Sequence, residues 1–276
     1  MKGVILAGGK GTRLAPLTKV TSKQLLHVYD RPLIYYPLEI LLKAGIKEVC
    51  FVVAPEHAGD YLAYLGSGKE FGARFSYEIQ DEPAGLAHGL SLTENFADNE
   101  PIAFILGDNI FEDDLSEEIK NFSGVGAKVF AKEVPDPERF GVVEFDKDFN
   151  VTSIEEKPKN PKSNFGQPGF YIYDTTVYEK IHTLKPSARG EYEITDLNNL
   201  YLKEGKLKVG IIKGRWIDAG TFDSLLEANI FMAKKKQSAA PSLQTGYLLD
   251  QNKDVIRKIA DRSEERRVGK ECEDLC

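Results

Sequence analysis

Short apolar runs at 2–7, 47–53, 74–79 and 102–106 alternate with amphipathic stretches at about 32–44, 56–65 and 86–96. The runs predict buried strands, and the stretches between them, apolar at helical spacing, predict helices. Such alternation predicts an α/β fold with a mostly parallel sheet covered by helices on both faces. After Asp108 the pattern changes. Segments 127–133, 141–146, 150–156 and 168–173 predict short strands separated by Asp, Pro, Asn and Gly clusters, and helices follow near 175–184, 193–204 and 221–236. The second half is therefore expected to extend the sheet into a β-rich lobe. No internal repeat is visible.

Composition narrows the class. The chain has 276 residues, 42% hydrophobic and 29% charged, which suits one sizeable domain or two small ones. No apolar run approaches the ~20 residues of a membrane span, and the first strand starts without a secretory signal pattern. Only Cys50 lies in the body of the chain, with Cys272 and Cys276 in the tail, so a reducing, cytoplasmic setting is expected. Cys50, in KEVCFVV, reads as a buried structural thiol. A net charge of −7 argues against a nucleic-acid partner. Any bound phosphates must be met by local Lys, Arg and metal.

The candidate chemistry begins at MKGVILAGGKGTRL. A strand ends at Gly8 and Gly9, turns at Gly11 and presents Thr12 and Arg13. Glycines let backbone N–H groups approach a polyanion, and Arg supplies a planar fork for phosphate oxygens. The dinucleotide fingerprint fails because Leu14 stands at its third glycine, and no Walker loop occurs. In open α/β sheets ligands bind beyond the carboxyl ends of strands. Asp108, in LGDNIF, and Asp218, in RWIDAGT, both follow apolar stretches. Two such acids suit a magnesium ion shared with phosphate oxygens, although a turn or cap is the commoner fate of such an Asp. Asp113 and Asp114 read as a solvated helix start. Lys23 lies in TSKQLL and Lys157 in IEEKP, where Glu156 offers an acceptor for sugar hydroxyls; Arg189 and Glu191 form a basic–acidic pair in SARGEYEITD. Alone, IEEKP would read as a surface ion pair, but its place at the end of a strand over Val151–Ile154 favours a point charge for a phosphate.

GGKGTRL, TSKQLL, YDRPLIYYPLE, ILGDNIF, DPERFGVVEFD, IEEKPKNPKSN, LKPSARGEYEITDLNN and WIDAGT occur in this order across residues 1–236. Together they resemble the sugar-phosphate nucleotidylyltransferases, and within them the glucose-1-phosphate thymidylyltransferase branch. The resemblance implies a Rossmann-like catalytic domain over 1–236 with an inserted sugar-binding lobe. It implies transfer of a thymidylyl group from dTTP to glucose 1-phosphate, with Mg2+ as cofactor, as the first step of dTDP-sugar and dTDP-rhamnose synthesis. Gly8, Gly11, Thr12 and Arg13 would cradle the triphosphate, with Lys23 also on phosphates and Gln24 near the nucleoside. Gln80 and Gly85 would read the thymine. Asp108 and Asp218 would hold the metal. Gly141, Glu156, Lys157 and Tyr171 would bind the sugar phosphate, helped by Arg189 and Glu191. Arg13, Lys23, Asp108 and Lys157 form the expected catalytic set. A homo-oligomer is the family's suggestion.

Several residues depart from the common family pattern: His27 for Pro, Ala84 for Asp, His88 for Gln, Phe140 for Tyr, and Pro168 and Ala219 for Thr. Two of them flank the base-reading segment, so uridylyl or another nucleotidylyl transfer stays an alternative; a non-catalytic nucleotide-sugar sensor is the alternative from another class. His27 is expected to pack. The chain lacks a hexapeptide repeat, which argues against the acetyltransferase-fused relatives. From Gln237 the composition reads as a linker and a short helix over Tyr247–Ile259. The run RSEERRVGKEC, Arg262–Cys272, reads as the translation of a sequencing-library adapter, which would place the native end upstream of Arg262; a charged tail is the alternative.

Overall fold

The computed structural model describes residues 1–9 and 11–239. The expectations for the tail beyond residue 239 lie outside the described residues. In the order of the chain the strands are β1 (Lys2–Ala7), β2 (His27–Val28), β3 (Arg31–Pro32), β4 (Glu48–Val53), β5 (Arg74–Ile79), β6 (Ile102–Leu106), β7 (Asn109–Phe111), β8 (Ala127–Glu133), β9 (Gly141–Phe145), β10 (Val151–Glu156), β11 (Phe165–Gly166), β12 (Phe170–Tyr173), β13 (Leu207–Ile211) and β14 (Trp216–Asp218). The helices are α1 (Tyr35–Lys43), α2 (Ala58–Leu65), α3 (Leu86–Ser91), α4 (Glu94–Ala97), α5 (Ser116–Lys120), α6 (Val177–Ile181), α7 (Ile194–Lys203) and α8 (Phe222–Ala239). The chain divides into two units, Met1–Ile230 and Phe231–Cys276; the described part of the second is the end of α8.

One sheet runs β10-β9-β11-β8-β12-β6-β1-β4-β5, with β13 also on β8. The pairs β6–β1, β1–β4 and β4–β5 are parallel, as the alternating pattern predicts. β12 then pairs antiparallel with both β6 and β8, so the second-half lobe is a direct continuation of the sheet. Strands β1, β4 and β6 are buried on both faces, while the edge strand β5 is not. Val4, Leu6, Cys50, Val52 and Phe104 enter one core, and Ile5, Ala7, Val49, Phe51 and Ile105 enter the other. This is the alternation a pleated strand imposes, and it explains why β1 reads as a continuous apolar run. Cys50 is fully buried there, and burial pushes its thiol up to about 12.

Four differences from the sequence pattern have physical causes. The stretch 86–96 divides into α3 and α4, where the Thr93 hydroxyl bonds back to the Leu90 carbonyl at 2.8 Å and competes with the helix ladder. α1 starts at Tyr35 because Arg31–Pro32 pairs with His27–Val28. Strand β13 is not legible in the pattern because Lys208 and Gly210 interrupt its apolar run, and its place is set by parallel pairing with β8. Asp113 is no solvated helix residue: its carboxylate accepts the Lys213 and Gly214 N–H groups at 2.8 and 2.9 Å, tying β7 to the loop before β14. Asp114 does serve the start of α5, accepting the Ser116 N–H at 3.0 Å.

Candidate active site

At the end of β1 the chain turns through Gly8 and Gly9. Gly11 adopts φ +59, and its carbonyl accepts the Leu14 N–H and the Thr18 hydroxyl, each at 2.9 Å. A Cβ on Gly8 would stand 2.7 Å from Gln80 Oε1, and one on Gly11 would stand 2.9 Å from Thr18 Cγ2. Side chains at Gly8 and Gly11 would therefore collide with Gln80 and with Thr18. A cavity of about 250 Å³ opens beside it, lined by Gly9, Lys23, Gln24, Gln80, Gly85, Leu86, Leu106, Asp108 and Glu191. Gln80, buried, faces the Gly85 carbonyl at 3.4 Å and His88 Nδ1 at 3.1 Å through Nε2. Gln24 Oε1 accepts the Ser22 hydroxyl at 2.8 Å and the Tyr61 hydroxyl at 3.4 Å. Gly85 sits at φ +105 against Tyr192, whose N–H donates to the Ala84 carbonyl at 2.8 Å.

The two expected metal acids meet through a small ladder. Asp218 lies directly opposite Asn109 in the β7–β14 pair, and the Ala219 N–H donates to the Asp108 carbonyl at 3.0 Å. Lys23 Nζ is ion-paired to Asp108 Oδ2, while Asn109 Nδ2 donates to Asp108 Oδ1 at 2.8 Å. Asn109 is itself fixed: its Oδ1 accepts Trp216 Nε1–H at 2.6 Å and the Gly169 N–H at 3.1 Å. Burial alone would raise the Asp108 carboxyl, but the contact with Lys23 holds it below the usual range. Burial likewise opposes the charge of Lys23, and Asp108 outweighs it, raising the ammonium. Asp218 is pushed up to about 6 by burial and then by the Asp108 charge, and its Oδ1 has no hydrogen-bond partner. Arg13 stands beside it; Arg13 Nη2 and Asp218 Oδ1 lie 2.8 and 3.0 Å from the point where a Cβ on Gly220 would be. Among the described residues no cluster of three or more metal-type side chains exists. Two carboxylates, one with an unpartnered buried oxygen, nevertheless fit a hard divalent cation that takes its other ligands from phosphates and water.

A second cavity, of about 290 Å³, shares Leu86, Leu106 and Asp108 with the first. Arg13, Arg139, Phe140, Gly141, Glu156, Lys157, Gln167, Tyr171, Trp216 and Asp218 line it. Glu156 faces Gly141 across the β9–β10 pair; it accepts the Thr195 hydroxyl at 2.6 Å and lies 3.5 Å from Lys157 Nζ. Lys157 is held at φ +43, a strained backbone for a non-glycine residue and one that turns the chain out of β10 at the cavity rim. Tyr171 is buried on β12, stacked between Phe104 and Tyr173.

Gly8, Gly11 and Thr12 frame the loop without lining either cavity. Arg189 lines neither: its guanidinium is engaged by Glu193 at 2.8 Å and by Glu156 and Glu191 at 3.4 Å. Glu191 faces the first cavity, not the second. His27, expected to pack, is exposed, because the alternation of the two-residue strand β2 buries Val28 instead. Asn109, Arg139, Gln167 and Trp216 line the second cavity and were not legible in the sequence. Of these only Asn109 had a signal, its place beside the strand-end acid.

The sequence profile of the nucleotidyl transferase family matches residues 2–235. A glucose-1-phosphate thymidylyltransferase of Neisseria meningitidis is 49% identical over 238 residues, covering 84% of this chain and 82% of the relative. One from Mycolicibacterium smegmatis is 49% identical over 236 residues, with the same coverage. Among solved structures, a Bacillus anthracis protein assigned as a glucose-1-phosphate thymidylyltransferase, in complex with sucrose, aligns with a TM-score of 0.80 at 48% identity, over 84% of this chain and 94% of that one. UDP-glucose pyrophosphorylase complexed with UDP-glucose aligns with a TM-score of 0.75 at 27% identity, over 85% and 98%.

Proposed function

The chain belongs to the nucleotidyl transferase family, and from that premise we propose that it transfers a thymidylyl group from dTTP to glucose 1-phosphate, releasing pyrophosphate. One observation supports this reading above the others: the two cavities adjoin at Asp108. A nucleotide in the first and a sugar phosphate in the second bring their phosphates together beside Lys23, Arg13 and Lys157. The sugar phosphate is already an anion, so its attack on the α-phosphorus needs no general base. What opposes it is repulsion between two polyanions and the demand for alignment. Lys23 offsets charge in the first cavity, and Arg13 and Lys157, which line the second, offset it where the two phosphates meet. Gln80 and Gly85 offer a side-chain amide and a backbone group to the edge of a pyrimidine. Glu156 and Tyr171 bound the sugar. Asp108 and Asp218 would hold Mg2+, which when bound neutralises phosphate charge. Activity in the cytoplasm as a homo-oligomer, at the first step of dTDP-sugar synthesis, completes the proposal.

Pyrophosphate release with glucose 1-phosphate and magnesium, measured separately with dTTP, UTP, CTP and GTP, tests it. Fastest release with dTTP is expected. Preference for UTP would keep the chemistry and overturn the reading of Gln80 and Gly85. No release with any of the four would overturn the proposed substrates.

A further inference from the structure

We infer that Gln167 is a specificity-determining residue of the sugar site, its carboxamide N–H donating to one hydroxyl oxygen of the hexose 1-phosphate. The inference rests on the reading of the second cavity as the sugar phosphate site. Gln167 follows β11 and lines that cavity, with 6% of its surface exposed. Its backbone N–H donates to the Gly141 carbonyl at 2.7 Å, which fixes where the side chain starts. Its Nε2 is buried and has no hydrogen-bond partner. A carboxamide brings two donors, and a buried donor left unpaired is costly, so a residue of this kind has a use for the missing acceptor.

Its surroundings say what that acceptor is. Gln167 Oε1, Thr195 Oγ1 and Glu156 Oε2 lie 2.9, 3.3 and 3.5 Å from the point where a Cβ on Gly141 would stand. The carboxamide therefore occupies the space that glycine leaves open, beside the Glu156 carboxylate. The terminal torsion of glutamine is broad, so a small rotation presents Nε2 to the cavity without moving the backbone. A donor next to a carboxylate acceptor suits adjacent hydroxyls: one donates to Glu156 and its neighbour accepts from Gln167. An apolar side chain here would fill the same space and read nothing.

The test compares wild type, Gln167→Leu and Gln167→Glu on glucose 1-phosphate and its 2-, 3-, 4- and 6-deoxy analogues, with dTTP saturating. Wild type is expected to lose about 10- to 100-fold in kcat/KM on one analogue through this contact, a range set by the cost of leaving the buried donor unpaired. In Gln167→Leu the same loss should fall on glucose 1-phosphate itself, with no further loss on that analogue and an unchanged KM for dTTP. If Gln167→Leu does not fold, Gln167→Glu, nearly isosteric but with oxygen in place of the donor, carries the comparison. Discrimination among the deoxy sugars identical in wild type and variants would overturn the inference, leaving Nε2 to a buried water. Wild-type silence toward glucose 1-phosphate would instead overturn the proposed function, and this inference with it.

Discussion

Asp218 is a carboxylate that the fold holds at a disadvantage. Burial and the neighbouring Asp108 push it up to about 6, so above that pH its ionised form destabilises the native state. An acid with a raised folded pKa gives stability back as pH falls through that value. Asp218→Asn should therefore melt higher than wild type at pH 7.5, by about 1–3 kcal/mol, with the gap fading below about pH 6. The same variant should lose most turnover, because that charge is the one that, under the proposed function, would hold the cation on the phosphates. Asp108→Asn should also lose at least about 100-fold in turnover while keeping its circular dichroism, yet without the gain in melting temperature, since it removes the partner of the buried Lys23. An Asp108→Asn protein with near wild-type, magnesium-dependent activity would contradict this placement of the acids. Each acid was legible in the sequence as a residue at a strand exit. Their meeting was not, because it depends on a three-residue ladder, β7–β14, too short to carry a period.

Strand and helix ends carry the next level of constraint. Asp174, just past β12, accepts the Gly126 N–H at 2.7 Å, the Thr176 hydroxyl at 2.7 Å and the Tyr201 hydroxyl at 2.9 Å, joining the starts of β8 and α6 to α7. Burial works to raise this carboxyl, but the donors prevail and hold it below its ordinary value. Its stabilisation is thus present above about pH 3.9, the ordinary Asp value, and is lost as pH falls through the lower folded one. Asp174→Asn should lower the melting temperature at pH 7, by about 1–3 kcal/mol, and thermal melts from pH 7 to 3 should show the gap closing at the acid end. At Gly85 the constraint is geometric. A Cβ would stand 2.5 Å from the Tyr192 carbonyl oxygen, at φ +105. Gly85→Ala should displace the 81–86 loop and raise KM for dTTP several-fold, with KM for glucose 1-phosphate little changed; equal effects on both would contradict its assignment to the nucleotide side. The strands of the first half were readable as continuous apolar runs and its helices as apolar residues at helical spacing. β11 and β13 were not, since β11 has only two residues and Lys208 and Gly210 interrupt the apolar run of β13.

At the scale of the whole molecule, a chain of net charge −7 must bring two polyanions together. It does so by concentrating Arg13, Lys23, Arg139 and Lys157 around two adjoining cavities at one end of a sheet. β12, antiparallel to β6, carries the sheet from the parallel first half into the second-half lobe, and the two cavities share Leu86, Leu106 and Asp108. The sequence pattern showed the lobe as an extension of the sheet, from the change to short strands after Asp108, but not that β12 is the strand that joins it to β6. The proposed function is a direct transfer with no covalent enzyme intermediate. The stereochemistry of transfer tests this most directly. With dTTP carrying sulfur at a defined position on the α-phosphorus, single in-line displacement by glucose 1-phosphate inverts the configuration in the dTDP-glucose product. Inversion is the predicted result. Retention would mean two displacements, and would contradict an account in which the two substrates react with each other across Asp108.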